Sequence, residues 1–462
     1  MIEIGLHPGP TETVEPACDP DRALAAVARK RMVPIVLIVV IVAITMAYSL
    51  FWGPLIDHTA WITPGDLWGT FHTAQFVAWG DIGDVYSSGG GLVSLPGISV
   101  VLAPAALLVS HLGLVVGFPF ALPHPSAWLV LGPYQAALGA IVLIPLDALA
   151  EELAMGHRAR VMSSICEAVA LWPVLALWGH PEDSMAMAFA VWGLLAALRG
   201  RWRSAGWLCG LALVMQPLVV LMLVVFLAMA PKREWPKLAV RSALPTAALV
   251  AIPLVQSWRH TTTALFKQPN YPTIDHPTPW MALAPVLTKT HSIEVKHLGE
   301  RTLPGGATHF AISIVHTVAG ETVAAGPGRL IAFAVACLLG VYVYRYRPSQ
   351  EQVVWLCCVA LSLRCVFEAV MNPYYLWPPL AIAFVLVVRN RWRLGLAVVS
   401  SAGLTWWSYR HLGPWVWWVP VVTLLALVVA AAKPAQSTHG LAVEGPRPGH
   451  IEASRAPVDA LL

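Results

Sequence analysis

Long apolar blocks alternate with short polar breaks along most of this chain. The first runs from Met32 to about Trp52, and others follow at about 97–121, 127–149, 161–179, 183–198, 205–230, 238–256, 327–343, 353–371, 375–388, 394–409 and 414–432. Most approach the roughly 20 residues that a helix needs to cross a hydrocarbon core about 30 Å thick. The pattern predicts an all-α polytopic membrane protein with about 12 transmembrane helices within 32–432. A polar N-terminal tail, 1–31, ends in Arg29-Lys30-Arg31, which places it in the cytoplasm. No small-residue cleavage site follows the first block, so it is expected to persist as a span. The tail 433–462, rich in Pro, Gly and Ala, is expected to be disordered and cytoplasmic.

Sidedness is less regular. The clusters His157-Arg158-Ala159-Arg160, Arg199 to Arg203, Lys232-Arg233, Arg345 to Arg347 and Arg389 to Arg393 should all face the cytoplasm. Strict alternation of the blocks puts the first two outside. Splitting the stretches at Pro104 and at Gln216-Pro217 into pairs of half-helices removes the conflict, for twelve or fourteen spans. Two long polar stretches, 53–96 and 258–328, then form extracytoplasmic loops, and chemistry is expected at that outer face.

Composition narrows the class. Apolar residues make up 57% and charged residues 12%, against roughly 45–50% and 25% in a soluble domain. The 29 basic and 25 acidic side chains cannot cover that apolar surface in water, which excludes a cytosolic enzyme or a secreted domain. A net charge of +4, without a basic stripe interleaved with aromatics, gives no nucleic-acid partner. Six of the seven cysteines sit in apolar blocks and Cys18 in the N-terminal tail, with no metal-binding spacing.

Three polar words stand out. In Thr63-Pro64-Gly65-Asp66-Leu67-Trp68, a Pro-Gly turn leads into a short interfacial helix predicted from Leu67 to Trp79, with His72 on it. Asp66 stands at the helix start, either as its N-cap or as a general base for a sugar hydroxyl. Between two apolar blocks, Gly179-His180-Pro181-Glu182-Asp183 sets an imidazole beside two carboxylates. These can hold a divalent cation or sugar hydroxyls, or simply turn the chain and cap the next helix. No complete metal-ligand spacing is present. In the third word Arg364 and Glu368 lie four apart, on one helical face inside an apolar block. Charge there is costly, which favours a phosphate site with Glu368 orienting Arg364 over an internal ion pair. Tyr374 and Tyr375 follow and can stack on a sugar or anchor in the interface. Arg329 after a Gly-Pro-Gly turn is a second phosphate-facing candidate. His276, with His309 and His316, can line an acceptor groove or an ordinary surface loop. Asp147 and Glu167 read as polar groups pairing helices, and Gly89-Gly90-Gly91 as a flexible loop.

The layout resembles the GT-C glycosyltransferase superfamily. It is most similar to family 87, the polyprenyl-phosphomannose-dependent mannosyltransferases that make phosphatidylinositol mannosides and lipomannan in mycobacteria and their relatives. The likeness spans roughly 32–430. It is carried by Asp66-Leu67-Trp68, Trp79-Gly80-Asp81 with Tyr86, the Gly179 to Asp183 turn, the block from Arg199-Gly200-Arg201-Trp202 to Gln216-Pro217, and Asn372-Pro373-Tyr374-Tyr375 with Pro378. The family usually carries a Tyr soon after the first-loop Asp, where this chain has Trp68 and Phe71. The resemblance implies a GT-C fold in the plasma membrane and a sugar donor on a single polyprenyl phosphate. It implies a glycolipid or envelope-glycan acceptor, and transfer with inversion at the outer face. Asp66 would be the general base, with Asp81 its rival. Arg364 and Arg329 would steady the leaving phosphate. No nucleotide sugar is implied, and dependence on a divalent cation stays open. Arabinofuranosyl or glucosyl transfer on the same fold is the near alternative. A lipid transporter is the alternative from another class, although no internal repeat supports it, and a silent scaffold for envelope assembly is a third.

Overall fold

Each apolar block contains helix, and the described residues are predominantly helical. The computed structural model describes residues 30–52, 55, 60–87, 91, 92, 94–117, 122–266, 268–302 and 309–435, with the backbone alone over 289–320. The tails 1–29 and 436–462 and the pair Gly89-Gly90 lie outside these residues, as do the side chains of His309 and His316.

The helices are α1 (Met32–Ala47, prolonged by a π turn to Trp52), α2 (Gly65–Ala78), α3 (Gly97–His111), α4 (Trp128–Ala140) with α5 (Leu143–Glu152), α6 (His157–Pro173, prolonged by a π turn to Trp178) and α7 (Pro181–Leu198). Next come α8 (Trp202–Met215), α9 (Val220–Leu227), α10 (Trp235–Gln256), α11 (Trp258–Phe266), α12 (Gly328–Tyr346), α13 (Gln350–Phe367), α14 (Trp377–Val387), α15 (Arg391–Ser408) and α16 (Pro414–Ala431). Among the described residues, seven stretches are long and apolar enough to cross a membrane: 32–52, 128–152, 157–178, 232–256, 328–346, 350–367 and 414–431.

Two departures from the expected layout bear on sidedness. At Gln216-Pro217 the chain does break: Gln216 is extended (φ −147°, ψ 111°), the conformation that a following proline favours. A short 3-10 turn, Pro217–Val219, then starts α9. Pro104, by contrast, lies inside an unbroken α3. That helix stops at His111, ten residues earlier than the apolar block, and measures about 22 Å at the usual helical rise. It lies along α2: Ser99 near its start meets Thr73 at 2.6 Å, and Gly117 just beyond its end touches the Trp68 ring.

The stretch 258–328 is more than loop. It holds α11 and a hairpin of β2 (Val286–Thr302) with β3 (His309–Val323), paired antiparallel from Val286↔Val323 to Thr302↔His309. The alternation Ile293-Glu294-Val295-Lys296 and Phe310-Ala311-Ile312-Ser313-Ile314 has the period of two that favours strands. A second sheet pairs β1 (His276–Pro277) with β4 (Val370–Met371), which ties this stretch to the end of α13.

The helices share two ends. At one end, Arg199 pairs with Glu152 (2.7 Å), Arg347 donates to Met229 O (2.6 Å), Arg389 meets Glu351 and Leu153 O, and Arg393 donates to Lys433 O (2.5 Å). At the other, Asp66 meets His180, Gln216 and Arg364 meet Asp183, and Arg329 meets Glu368. The basic clusters gather at the first end and the candidate residues at the second.

One glycine sets the second end. Gly179 closes the π turn after α6 in the left-handed region (φ 66°). A Cβ there would lie 2.6 Å from Pro64 Cβ and 2.8 Å from Leu67 Cβ. Only a bare backbone admits the start of α2 this closely. Gly179→Ala should therefore cost about 1–2 kcal/mol for the left-handed backbone plus about 1–3 kcal/mol for the clash. Gly200→Ala, also left-handed (φ 73°) but facing open space, should show the first cost alone. Thermal unfolding in detergent separates the two.

Candidate functional site

The site is built where α2 meets the turn into α7. Pro64, not Asp66, is the N-cap of α2, and Asp66 makes no capping bond; its exposed carboxylate reaches across instead. Asp66 Oδ2 lies 3.2 Å from His180 Nε2, while His180 Nδ1 lies 2.5 Å from Glu182 Oε1. One imidazole thus bridges two carboxylates. The Tyr374 ring stacks on it at 3.9 Å and 19°. Burial works against charge on His180, but Glu182 and Asp66 outweigh it and hold its pKa well above the ordinary 6.5. Crowding by its neighbours raises Asp66 too, although most of its side chain stays open, and the hydrogen bond and charge of His180 outweigh that, leaving it below 3.8.

Behind this array, Pro181 opens α7 and puts Glu182 and Asp183 in its first turn, where the helix dipole favours negative charge. Both are buried. Asp183 Oδ1 accepts from Gln216 Nε2 (3.1 Å) and Arg364 Nη1 (3.4 Å). The break at Pro217 frees the Gln216 side chain for this contact. Arg364 also lies over the Tyr375 ring, 3.2 Å from its centroid. Glu368 is not its partner on a shared helical face. Helix α13 ends at Phe367, Glu368 caps it in extended conformation, and its carboxylate accepts from Arg329 Nε at 2.7 Å. Arg329 Nη1 donates to Gln268 Oε1 at 2.8 Å. Arg364 and Arg329 therefore each serve a separate ion pair, the first deeply buried and the second with 22% of its side chain exposed.

A residue that the sequence reading passed over completes the opening. The β1–β4 register pairs His276 with Met371, so the next step outward brings Asp275 beside Asn372. The Asn372 side chain hydrogen-bonds to the Asp275 carboxyl. Burial, and next the charge of Asp66, push Asp275 up to about 7. Adjacent strand residues face opposite ways. His276, which had drawn attention as a groove residue, turns into the core between His411 (4.8 Å) and Trp417 (4.5 Å). Burial, with His411 nearby, lowers its pKa to about 4. The strand alternation around residues 274–277 was the available signal for Asp275.

Two other candidates lie elsewhere. His72 sits further along α2, its Nδ1 3.4 Å from Gln75 Oε1. Asp81 lies beyond the far end of α2, on the order of 20 Å from Asp66 along the helix. Asp147 takes a bidentate contact from Arg160 (2.7 and 2.5 Å), and Glu167 accepts from Ser163 at 2.7 Å. Asp147 therefore ties α5 to α6, while the Glu167 bond stays within α6.

Beside Tyr374 opens an apolar cavity of about 610 Å³ between α6, α14 and α15, lined in part by Val169, Trp172, Trp178, Phe384 and Tyr409. Trp178 stacks on Tyr409 and donates to its hydroxyl at 3.1 Å. Tyr374 thus has one neighbour in the polar array and lines the apolar cavity as well. Among the described residues, His180, Glu182 and Asp183 form the group able to hold a metal ion, their donor atoms within 4.8 Å of one another. Glu182 Oε2 and Asp183 Oδ2 are buried without a hydrogen-bond partner, which fits that use. No protein family matches the chain, and no curated protein is similar to it.

The two kinds of pKa shift give opposite pH signatures. His180 has a raised pKa, so its contribution to stability is complete below pH 6.5 and disappears as pH rises through the raised value. The stability deficit of Glu182→Gln should accordingly be largest near pH 6 and shrink toward pH 10. Asp275 is a carboxyl raised to about 7. Its protonated form favours folding below pH 3.8, and that advantage is gone by about pH 7. Asp275→Asn should gain on the parent protein across that interval and run parallel above it. Unfolding midpoints over a pH series test both.

Proposed function

We propose that this chain is a membrane glycosyltransferase. It transfers a sugar, mannose by the family resemblance, from a polyprenyl-phosphate donor to a hydroxyl of a glycolipid or envelope glycan. One observation carries the reading: a carboxylate–imidazole–carboxylate array is joined through Tyr374 to an apolar cavity of about 610 Å³. A water-soluble donor has no need of such a cavity.

Sidedness supports it. If α2 and α3 lie together at the outer surface, α4–α5 make one crossing and α8 and α9 two. The chain then crosses twelve times, with every basic cluster on the cytoplasmic side and the array outside. On this reading the first outer loop reaches past the expected 53–96 to take in α3, and the second holds the hairpin.

In the proposed reaction the acceptor oxygen attacks the anomeric carbon from the face opposite the phosphate. A new C–O bond forms, the bond from that carbon to the phosphate oxygen breaks, and configuration inverts. Asp66, held ionised and aimed by His180, takes the hydroxyl proton. The electron pair leaves on the lipid phosphate, whose charge is met by Arg329, the more exposed guanidinium, with Arg364 behind it. Tyr374 offers a ring face to the sugar, while the Tyr375 ring stays buried beneath Arg364. His180, Glu182 and Asp183 hold sugar hydroxyls, or a divalent cation once His180 has given up its proton.

The test is transfer by purified protein in nanodiscs, with radiolabelled polyprenyl-phosphomannose and a total lipid extract as acceptor. A labelled glycolipid is expected. Asp66→Asn should lower the rate about 10²–10⁴-fold, the usual weight of a general base, while Asp81→Asn stays near the parent rate. A folded Asp66→Asn protein with normal transfer removes Asp66 from the role. Failure with mannosyl, arabinosyl and glucosyl donors alike overturns the enzyme reading.

A further inference from the structure

At the end of the bundle opposite the candidate site, α9, α10 and α12 leave an apolar groove of about 350 Å³. Leu227, Leu238, Ala239, Cys337 and Val341 line it. Gly340 lets α12 and α9 approach closely, since a Cβ there would meet Val224 O at 2.7 Å. The lining residues nearest the helix ends are Trp235 and Tyr344, packed edge to face at 5.3 Å. Such aromatic pairs mark the depth of lipid headgroups.

Two cations converge on this mouth. Lys232 Nζ stands 5.6 Å and Arg347 Cζ 5.2 Å from the centroid of the Tyr344 ring. Arg347 is anchored by its bond to Met229 O and sits at φ 48°, where residues other than glycine are rarely found. The segments 231–237 and 345–347 together carry Lys232, Arg233, Lys237, Arg345 and Arg347 against a single acid, Glu234. All five cations are exposed. An acyl chain alone explains the groove; the charge at its mouth calls for an anion on the same molecule.

We infer that this groove is a binding site for one anionic phospholipid. Its acyl chain lies against Leu238 and Val341, and its phosphate lies between Lys232 and Arg347. Basic pockets between membrane helices take anionic headgroups in this manner. The site is independent of the proposed transfer reaction.

The experiment is native mass spectrometry of the full chain, released from micelles containing equimolar phosphatidylglycerol and phosphatidylcholine. One phosphatidylglycerol per chain should survive release. Lys232→Gln with Arg347→Gln should cut the phosphatidylglycerol preference roughly thirtyfold, the weight of two basic residues at an anionic surface. Ala239→Phe narrows the exposed lip of the groove while keeping every charge, and should also lower retention. Arg391→Gln removes a cation at the same end but outside the groove, and should change nothing. Millimolar glycerol phosphate should not displace the lipid. Equal retention of both lipids by the parent protein overturns the proposal. So does an Arg391→Gln loss matching the double variant, full retention by Ala239→Phe, or displacement by glycerol phosphate.

Discussion

His180 keeps its charge at the buried end of a helix bundle only because two carboxylates flank it, and much of the surrounding geometry serves that arrangement. An imidazolium taken from water into such a place is unstable alone. Glu182 comes from its own helix, in the turn where the dipole already favours an acid. Asp66 comes from a separate helix, and it arrives only because Gly179 has no side chain to hold α2 away. The Tyr374 face covers the remaining side of the ring.

The same logic orders the second layer. Asp183 and Glu368 are nearly inaccessible and each is matched to an arginine from a different helix. Long-range ion pairs of this kind fix how α7, α12 and α13 sit relative to one another, since breaking one leaves an uncompensated charge in an apolar setting. Asp275 is the member without a matching cation, and it answers by holding its proton to near neutrality.

Much of this was legible beforehand. The apolar blocks gave the helices, Pro-Gly and Gly-His-Pro gave the turns, and the short helix after Asp66 begins and ends within two residues of its expected bounds. What remained hidden were relations between distant segments. Nothing in the spacing of Arg364 and Glu368 says that the helix will stop between them and send each to another partner. Asp275 looked like a neighbour of an interesting histidine. Strand pairing with residues 370 and 371, almost a hundred positions away, reverses their importance. The hairpin is hidden for a different reason: its period-two pattern lies in a polar stretch without a long apolar run.

The break at Gln216-Pro217 has a consequence for the topology of the whole chain. Helix α8 runs from the basic end to the site end, and α9 runs back. Were Gln216 to continue the helix, the chain would finish this passage at the wrong surface. Everything from Lys232 onward would be inverted against its own basic residues. The reversal at Gln216-Pro217 therefore returns the chain to the end of the bundle where the basic clusters gather. It does so while releasing one glutamine side chain to steady Asp183. The course of the bundle and the support of Asp183 thus depend on the same peptide unit.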